Sequence, residues 1–449
     1  MIHFGLEGLS GLILYIGAIG CLVATVFYRP IIGMYALVFL LPLQTIRYRM
    51  NQYPLGESFI GIMLLAIVIG LLRRRQSILP RNGWRTILIV YGAYLFLSLL
   101  RGSYYLGTGI PHPGDPRLSY WIEYMFMPAL LVLTAALRPA RTQIRIILAL
   151  MALSTLAVDK SFWGAVSDRD YSNYSDDLRD AGTAGYAGSN GLAAYEAQFA
   201  TLLVALAIYE RRRSIRVAYY LLAVFSGLCL MYSLSRGGYL ALLAGLVFLG
   251  AVKKRTILVA LAVFAFSWTA LVPAAVEQRV FMTYDDQSRS LDHSAETRIQ
   301  LWEDAMDLFD HNPVIGTGFH TYAYMHRIGS YEDTHNYYLK VLVETGLVGL
   351  GIFVVLIGIT FWQGIQCWLG ARDALVASLG LGLAAWTIAC AVANSFGDRW
   401  SFPQVNAYFW VLAGLAAQGR YLTETRKKSR KARRLKEPDI ASETEPILC

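Results

Sequence analysis

A chain of 449 residues that is 56% hydrophobic and 13% aromatic, with mean hydropathy +0.44 and repeated apolar runs of about 15 to 22 residues, is too apolar for a soluble globular protein. A formal net charge of +9 would suit nucleic acid in a soluble domain. Here the basic residues sit in short clusters between apolar segments and in the C-terminal tail, which is the positive-inside pattern of a polytopic membrane protein with no nucleic-acid partner.

The apolar segments fall near residues 9–27, 31–44, 58–72, 86–100, 121–137, 144–158, 189–210, 217–234, 237–251, 256–274, 335–362, 374–395 and 402–418, about thirteen in all, with the second one short. The opening residues, MIHFGLEGLS, lack a basic n-region and a small-residue cleavage site, so no removable signal peptide is expected. Basic clusters at Arg73–Arg75 with Arg81 and Arg85, Arg138–Arg145, Arg211–Arg216, Lys253–Arg255 and Arg420–Lys436 alternate with poorly basic loops and predict which loops are cytoplasmic. The outward loops are then 101–120, 159–188, the turn at Ser235, Glu277–Asp333 and Gly397–Ser401. The N-terminus faces outward if both early segments span, giving thirteen spans, and inward in the twelve-span alternative.

The predicted fold is thus all-α, a bundle of about 12 to 13 transmembrane helices. Its parts are an N-terminal bundle (1–275), a large outward loop containing short helices (276–333), C-terminal membrane helices (334–420) and a basic cytoplasmic tail (421–449) expected to be disordered near anionic headgroups. Of five cysteines, Cys21, Cys229, Cys367 and Cys390 lie in or beside apolar segments and none forms a CxxC pair, so neither a disulfide framework nor a zinc knuckle is expected.

Within the outward loop, Glu296–Phe309 places Ile299, Trp302, Met306 and Phe309 on one helical face, predicting a partly buried amphipathic helix that lies over the bundle. Next, HNPVIGTGF reads as a turn and a glycine-rich bend. The chain's organising stretch is Thr334–Phe353, THNYYLKVLVETGLVGLGIF, a polar head running into an apolar helix. Capped by Thr334 or Asp333, a helix of roughly 30 residues would rise about 45 Å, more than a hydrocarbon core of about 30 Å, so its first turns stand at the surface. His335 there would be held neutral by the positive end of the helix and could act as a general base.

Arg236, in SLSRGGY between two apolar runs, is a costly position for a charge and therefore a functional candidate, with snorkelling to the headgroups as its alternative. From its surroundings alone Arg298 reads as a solvated charge on its amphipathic helix. In RDAGTAGYAGSNGLAAY, which starts at Arg179, Asn190 is read as a helix cap. His311, His320, His326 and His335 lack zinc-ligand spacing, and the Asp168–Asp170 DRD lies in a polar acidic stretch, so no metal is assigned. Lys340 and Glu344, on one face below His335, are read as structural polar contacts.

HNYYLKVLVETGLVGLGIF resembles the C-terminal signature of the O-antigen ligase and O-antigen polymerase superfamily, in outline HNxxLxxLxExGLxGLxxF. The likeness extends upstream through PVIGTGFHTY to Ser235–Gly238, SRGG, and covers about the second half of the chain. It implies a GT-C-like membrane glycosyltransferase of the bacterial inner membrane, with its active site toward the periplasm. The implied donor is an undecaprenyl-diphosphate-linked glycan, with His335 as base and Arg236, Arg298 and Arg179 at the diphosphate. Gly237 and Gly238 would let backbone approach the ligand. Single-displacement chemistry on that donor would invert the anomeric carbon, and with arginines available to neutralise the leaving diphosphate no metal and no cofactor are expected. By it the acceptor is the lipid A core; a polymerase that uses a second lipid-linked glycan is the alternative, and a non-catalytic transporter of the same lipid is the remaining class. Arg179 matches the family's Arg-Gly and Asn-Ala pattern without its usual proline before the asparagine.

Overall fold

The structure, a computed structural model, describes residues 6–79, 83–282, 284–285, 290–291, 293–329 and 331–434. Every one of the thirteen apolar segments is helical. The first half runs α1 (Leu6–Phe27), α2 (Ile31–Leu40), α3 (Gln44–Tyr48), α4 (Phe59–Arg73), α5 (Arg85–Leu106), α6 (Pro116–Ala136), α7 (Arg141–Val166) and α8 (Gly188–Tyr209). The second half runs α9 (Arg213–Tyr232), α10 (Arg236–Val252), α11 (Thr256–Leu271), α12 (Ala274–Phe281), a ladder of β1 (Tyr284–Asp285) with β2 (Ser290–Leu291), α13 (His293–His311), α14 (Tyr322–Met325), α15 (Tyr337–Gly370), α16 (Ala374–Asn394) and α17 (Pro403–Arg434).

Among the described residues, eight helices are long and apolar enough to cross a membrane. The bent pair α11–α12, folded by 114° at Pro273, makes a ninth if it counts as one span, and α2, α4 and α10 are shorter apolar helices. The protein is therefore a multi-pass helical membrane protein, as the apolar runs require. Its centre is α8 and α16, whose candidate spans are 89% and 78% buried, whereas those of α1 and α9, 17% and 22% buried, lie at the edge. Both central helices are rich in alanine, and small side chains let helix backbones approach closely where lipid offers no hydrophobic drive.

Three local expectations are corrected. First, Asn336, and not Thr334 or Asp333, caps α15: its side-chain oxygen accepts from the N–H of Tyr338 and Leu339 at 3.1 and 3.3 Å, while Thr334 Oγ1 donates to the Asn336 carbonyl. Second, α13 buries Leu301, Ala305 and Leu308 and leaves Ile299, Trp302 and Met306 partly exposed. Both stripes are apolar, and contact of Ala305 and Leu308 with Tyr322 and Val343 selects the buried one. Third, α17 continues to Arg434 through the stretch expected to be disordered, which is rich in Arg and Lys, residues of high helix propensity. The remainder of the expected tail, 435–449, lies outside the described residues.

The long helix of the organising stretch is also broken. Gly346 takes φ 66° and ψ −173°, dividing α15 into a short upper and a long lower part. The segment 313–319, PVIGTGF, lies in the break and satisfies the backbone groups it frees. Thr317 and Gly318 donate to the Val343 and Glu344 carbonyls at 3.0 and 2.7 Å, and Leu347 and Val348 donate to Pro313 and Val314 at 2.9 and 3.2 Å. On the far side of the segment, Phe319 donates to the Ser98 carbonyl at 3.0 Å, and buried Arg117 donates to the carbonyls of Leu99 and Phe319. The segment thereby ties α5 and α6 to the head of α15.

Candidate functional site

The turn from α9 to α10 places Arg236 at the first position of α10. Ser235 is the cap: its hydroxyl accepts from the Gly238 N–H at 3.4 Å and donates to Asn190 Oδ1 at 2.7 Å. Asn190 is thus an internal residue of the first turn of α8, which begins at Gly188, and its side chain ties two helices together; the helix-cap reading is corrected. A Cβ at Gly237 would sit 2.8 Å from Phe396, and one at Gly238 would sit 2.7 Å from Ala193. These glycines allow close packing against protein, and both also line the cavity in front of the turn.

In front of this turn lies a cavity of about 250 Å³, and Arg179, Arg236, Arg279, Arg298 and Arg399 all line it with Asn190 and Ser235. The three arginines singled out in the sequence converge here, and Arg279 and Arg399 join them. Arg179 arrives from the 167–187 loop after a single turn of 3-10 helix at Asp176–Leu178. Arg236 Nη1 donates to the Met282 carbonyl at 3.2 Å. Arg279, on α12 just past the Pro273 bend, lies over the ring of Tyr174 at 5.0 Å. Arg399 stands in the buried α16–α17 loop, where its backbone N–H donates to Asn394 Oδ1 and its Nη1 to the Asp398 carbonyl, both at 3.1 Å.

Burial pushes the Arg298 guanidinium below its ordinary range, and Arg236, Arg179, Arg279 and Arg399 push it the same way. Arg399 is likewise lowered by burial, against the opposing charges of Asp333 and Asp398. Cations crowded into a small cavity beside a helix N-terminus produce a strongly positive site matched to an anion of phosphate size.

His335 is not among the residues that line this cavity; it stands in the connection that leads into α15, with φ +50°, within electrostatic reach of the cavity's Arg298 and Arg399. Asp333 Oδ1 accepts its backbone N–H at 2.6 Å and lies 3.3 Å from its imidazole Nδ1. Trp302 Nε1 donates to the Thr334 carbonyl at 3.0 Å, fixing the same turn from α13. With Nδ1 turned to the carboxylate, Nε2 is the nitrogen left to accept a proton. Burial is the main reason that the imidazole is pushed below its ordinary value; Asp333 opposes this, and Arg298 and Arg399 reinforce it. The direction favours the neutral form, and its causes are burial and two arginines, because the residue sits before the helix and not in its first turn.

Lys340 and Glu344 have structural partners. Lys340 Nζ donates to Asp398 Oδ2 at 2.9 Å, with both side chains nearly inaccessible, and this fixes the loop that carries Arg399. The Glu344 carboxylate accepts the backbone N–H of His320 and Tyr322 at 3.0 and 3.2 Å, anchoring the FHTY turn. Asp170 accepts the N–H and hydroxyl of Ser172 in a local turn. Among the described residues no group of three His, Cys, Asp or Glu is placed to hold a metal ion.

Sequence reasoning missed Arg279 and Arg399. For Arg399 a signal existed, since FGDRW sets two ionisable residues between apolar runs, where charges are rare without a function or partner. Arg279 offered none, as it read like any charge in a polar loop.

A family model described as O-antigen ligase matches residues 221–354. The match runs from within α9 to the middle of α15 and includes Arg236, Arg279, Arg298 and His335, leaving Arg179 and Arg399 outside it. No curated protein matches the chain at a significant level. The family is one of glycosyl-transferring enzymes of O-antigen processing.

Proposed function

We propose that this chain, whose residues 221–354 match the O-antigen ligase family model, moves a glycan from undecaprenyl diphosphate onto a sugar hydroxyl at the periplasmic face of the inner membrane. The observation that carries the reading is an arginine-lined cavity at the N-terminus of α10, two of whose arginines, Arg298 and Arg399, lie within electrostatic reach of a carboxylate-oriented histidine. The cavity binds the donor diphosphate. The acceptor hydroxyl oxygen attacks the anomeric carbon as the bond from that carbon to the diphosphate oxygen breaks, and His335 Nε2 takes the hydroxyl proton. Negative charge grows on the departing diphosphate, where Arg236, Arg298 and Arg179, with Arg279 and Arg399, stabilise it. A single displacement of this kind inverts the anomeric centre. The arginines supply the neutralisation that a divalent ion would otherwise provide, so the reaction needs no metal.

The acceptor in this reading is the lipid A core, which makes the protein an O-antigen ligase. The test is transfer by the purified protein in liposomes, from labelled undecaprenyl-diphosphate glycan to either rough lipopolysaccharide or a second lipid-linked glycan, with EDTA present. Transfer to lipopolysaccharide that survives EDTA is the expected result. Elongation of the second lipid-linked glycan alone would make it a polymerase, and activity restored only by magnesium or manganese would overturn the metal-free mechanism.

Arg236→Lys keeps the charge but loses the planar fork. Donor binding should weaken by roughly 10- to 100-fold, the value of one or two charge-assisted hydrogen bonds, and turnover should fall with it. Titration of the purified variant with donor lipid checks this, and wild-type affinity would remove Arg236 from the diphosphate site.

A further inference from the structure

The geometry points to a second ligand site at the opposite membrane face, a groove between α7 and α9 that holds one anionic glycerophospholipid. Four helices orient it. The ends of α7 and α9 and the Asn190 and Ala393 ends of α8 and α16 meet the arginine cavity or its loops, whereas the groove is lined by Arg141 of α7, Tyr209 of α8, Ile215 of α9 and Ala374 of α16.

Toward the arginine cavity, α7 and α9 are in contact. Ser226 Oγ donates to Asp159 Oδ2 at 2.8 Å, and Trp163 packs edge-on against Phe225 with ring centroids 6.0 Å apart. Toward their other ends they separate and leave a volume of about 1240 Å³. That exceeds the roughly 300–1,000 Å³ of ordinary small-molecule sites. Alanines on both walls, Ala149 and Ala152 on α7 and Ala218 on α9, withdraw side-chain bulk, while Leu148, Leu156 and Leu222 keep the surface apolar.

The mouth has the opposite character. Arg141, Arg145, Arg211, Arg212 and Arg372 ring it, against two carboxylates, Glu210 and Asp373. Both carboxylates are engaged in local structure. Asp373 pairs with Arg141 at 2.8 Å and caps α16 through the Leu375 N–H, and Glu210 accepts the Arg212 N–H at 2.9 Å. The ring therefore keeps a net positive charge over a long apolar slot.

A soluble phosphate compound would use the ring but not the slot, and a neutral lipid the slot but not the ring. Only a molecule with an anionic head and hydrocarbon tails satisfies both, and basic pockets between membrane helices at the cytoplasmic side suit such headgroups. Arginine adds bidentate contact to the phosphodiester. The inference rests on the chain crossing a membrane and is independent of the reaction proposed above.

The test is native mass spectrometry of the full chain in detergent, offered equal amounts of phosphatidylglycerol and phosphatidylcholine. The wild type is expected to retain one phospholipid, with phosphatidylglycerol preferred. Arg145→Gln with Arg212→Gln should cut that retention by about tenfold or more, as removal of two surface arginines implies. Ala152→Trp should block the lipid while leaving every charge in place. Thermal melting of each variant separates lost binding from lost folding. Equal retention of both lipids by the wild type overturns the proposal, as does a folded double variant that keeps its preference, or a second copy of the chain seated in place of lipid.

Discussion

Replacement of His335 by alanine is expected to slow glycan transfer by roughly 10²-fold or more while donor binding stays near the wild-type level. The expectation follows from the division of labour in the site. The arginines that line the cavity face the diphosphate, whereas His335 lies within electrostatic reach of Arg298 and Arg399 with Nε2 available to the incoming hydroxyl. Asp333 offers a second handle because it orients the ring and raises its basicity. Asp333→Asn removes the one charge that opposes burial and the two arginines, so the imidazole should become still harder to protonate. Neutral imidazole is the active form, and transfer falls as acid protonates it. The acid limb of the pH profile should therefore move to lower pH in Asp333→Asn even as the maximal rate drops. Expression, donor binding and transfer measured on the same preparations distinguish chemistry from folding. A well-folded His335→Ala protein that transfers at the wild-type rate would move the base elsewhere.

What could be read in advance divides along a physical line. The helices were legible because a membrane demands apolar runs of a certain length, a property held by each segment alone. Arg236 was legible for a similar reason, since a cation between two apolar runs is costly wherever the rest of the chain goes. His335 was legible as a base from its place at the head of an interfacial helix; resemblance added Arg298 and Arg179, and the fold brings the three arginines into one cavity. Features that depend on a choice between tertiary partners stayed hidden. The two apolar stripes of α13 differ in which one meets Tyr322 and Val343, and periodicity alone cannot choose. Asn336, Thr334 and Asp333 all have capping side chains, and the last two are used to fix the His335 turn instead. Arg279 reaches the cavity only because the chain folds back by 114° at Pro273.

The break at Gly346 belongs to the same class and carries the largest expected structural effect. Gly346→Ala should reduce folded protein in the membrane and lower its melting temperature, with transfer falling in whatever protein survives. At φ 66° and ψ −173° the backbone occupies a region open almost only to glycine, where another residue costs about 1–3 kcal/mol. Space is the harder constraint, because a Cβ would lie 2.2 Å from the Val314 carbonyl oxygen, and backbone cannot swing aside as a side chain can. Relief requires moving segment 313–319 out of the break or straightening α15. Either movement strands the carbonyls of Val343 and Glu344 and shifts the turn that the Glu344 carboxylate anchors. It also shifts the upper part of α15, which holds Lys340 against Asp398 and so the loop of Arg399. The control lies on the same helix: Gly351 and Gly358 face open space, and alanine there should be neutral or slightly stabilising, since alanine is the better helix former. Equal melting temperatures for Gly346→Ala and Gly351→Ala, with transfer intact in both, would show that α15 does not need its break.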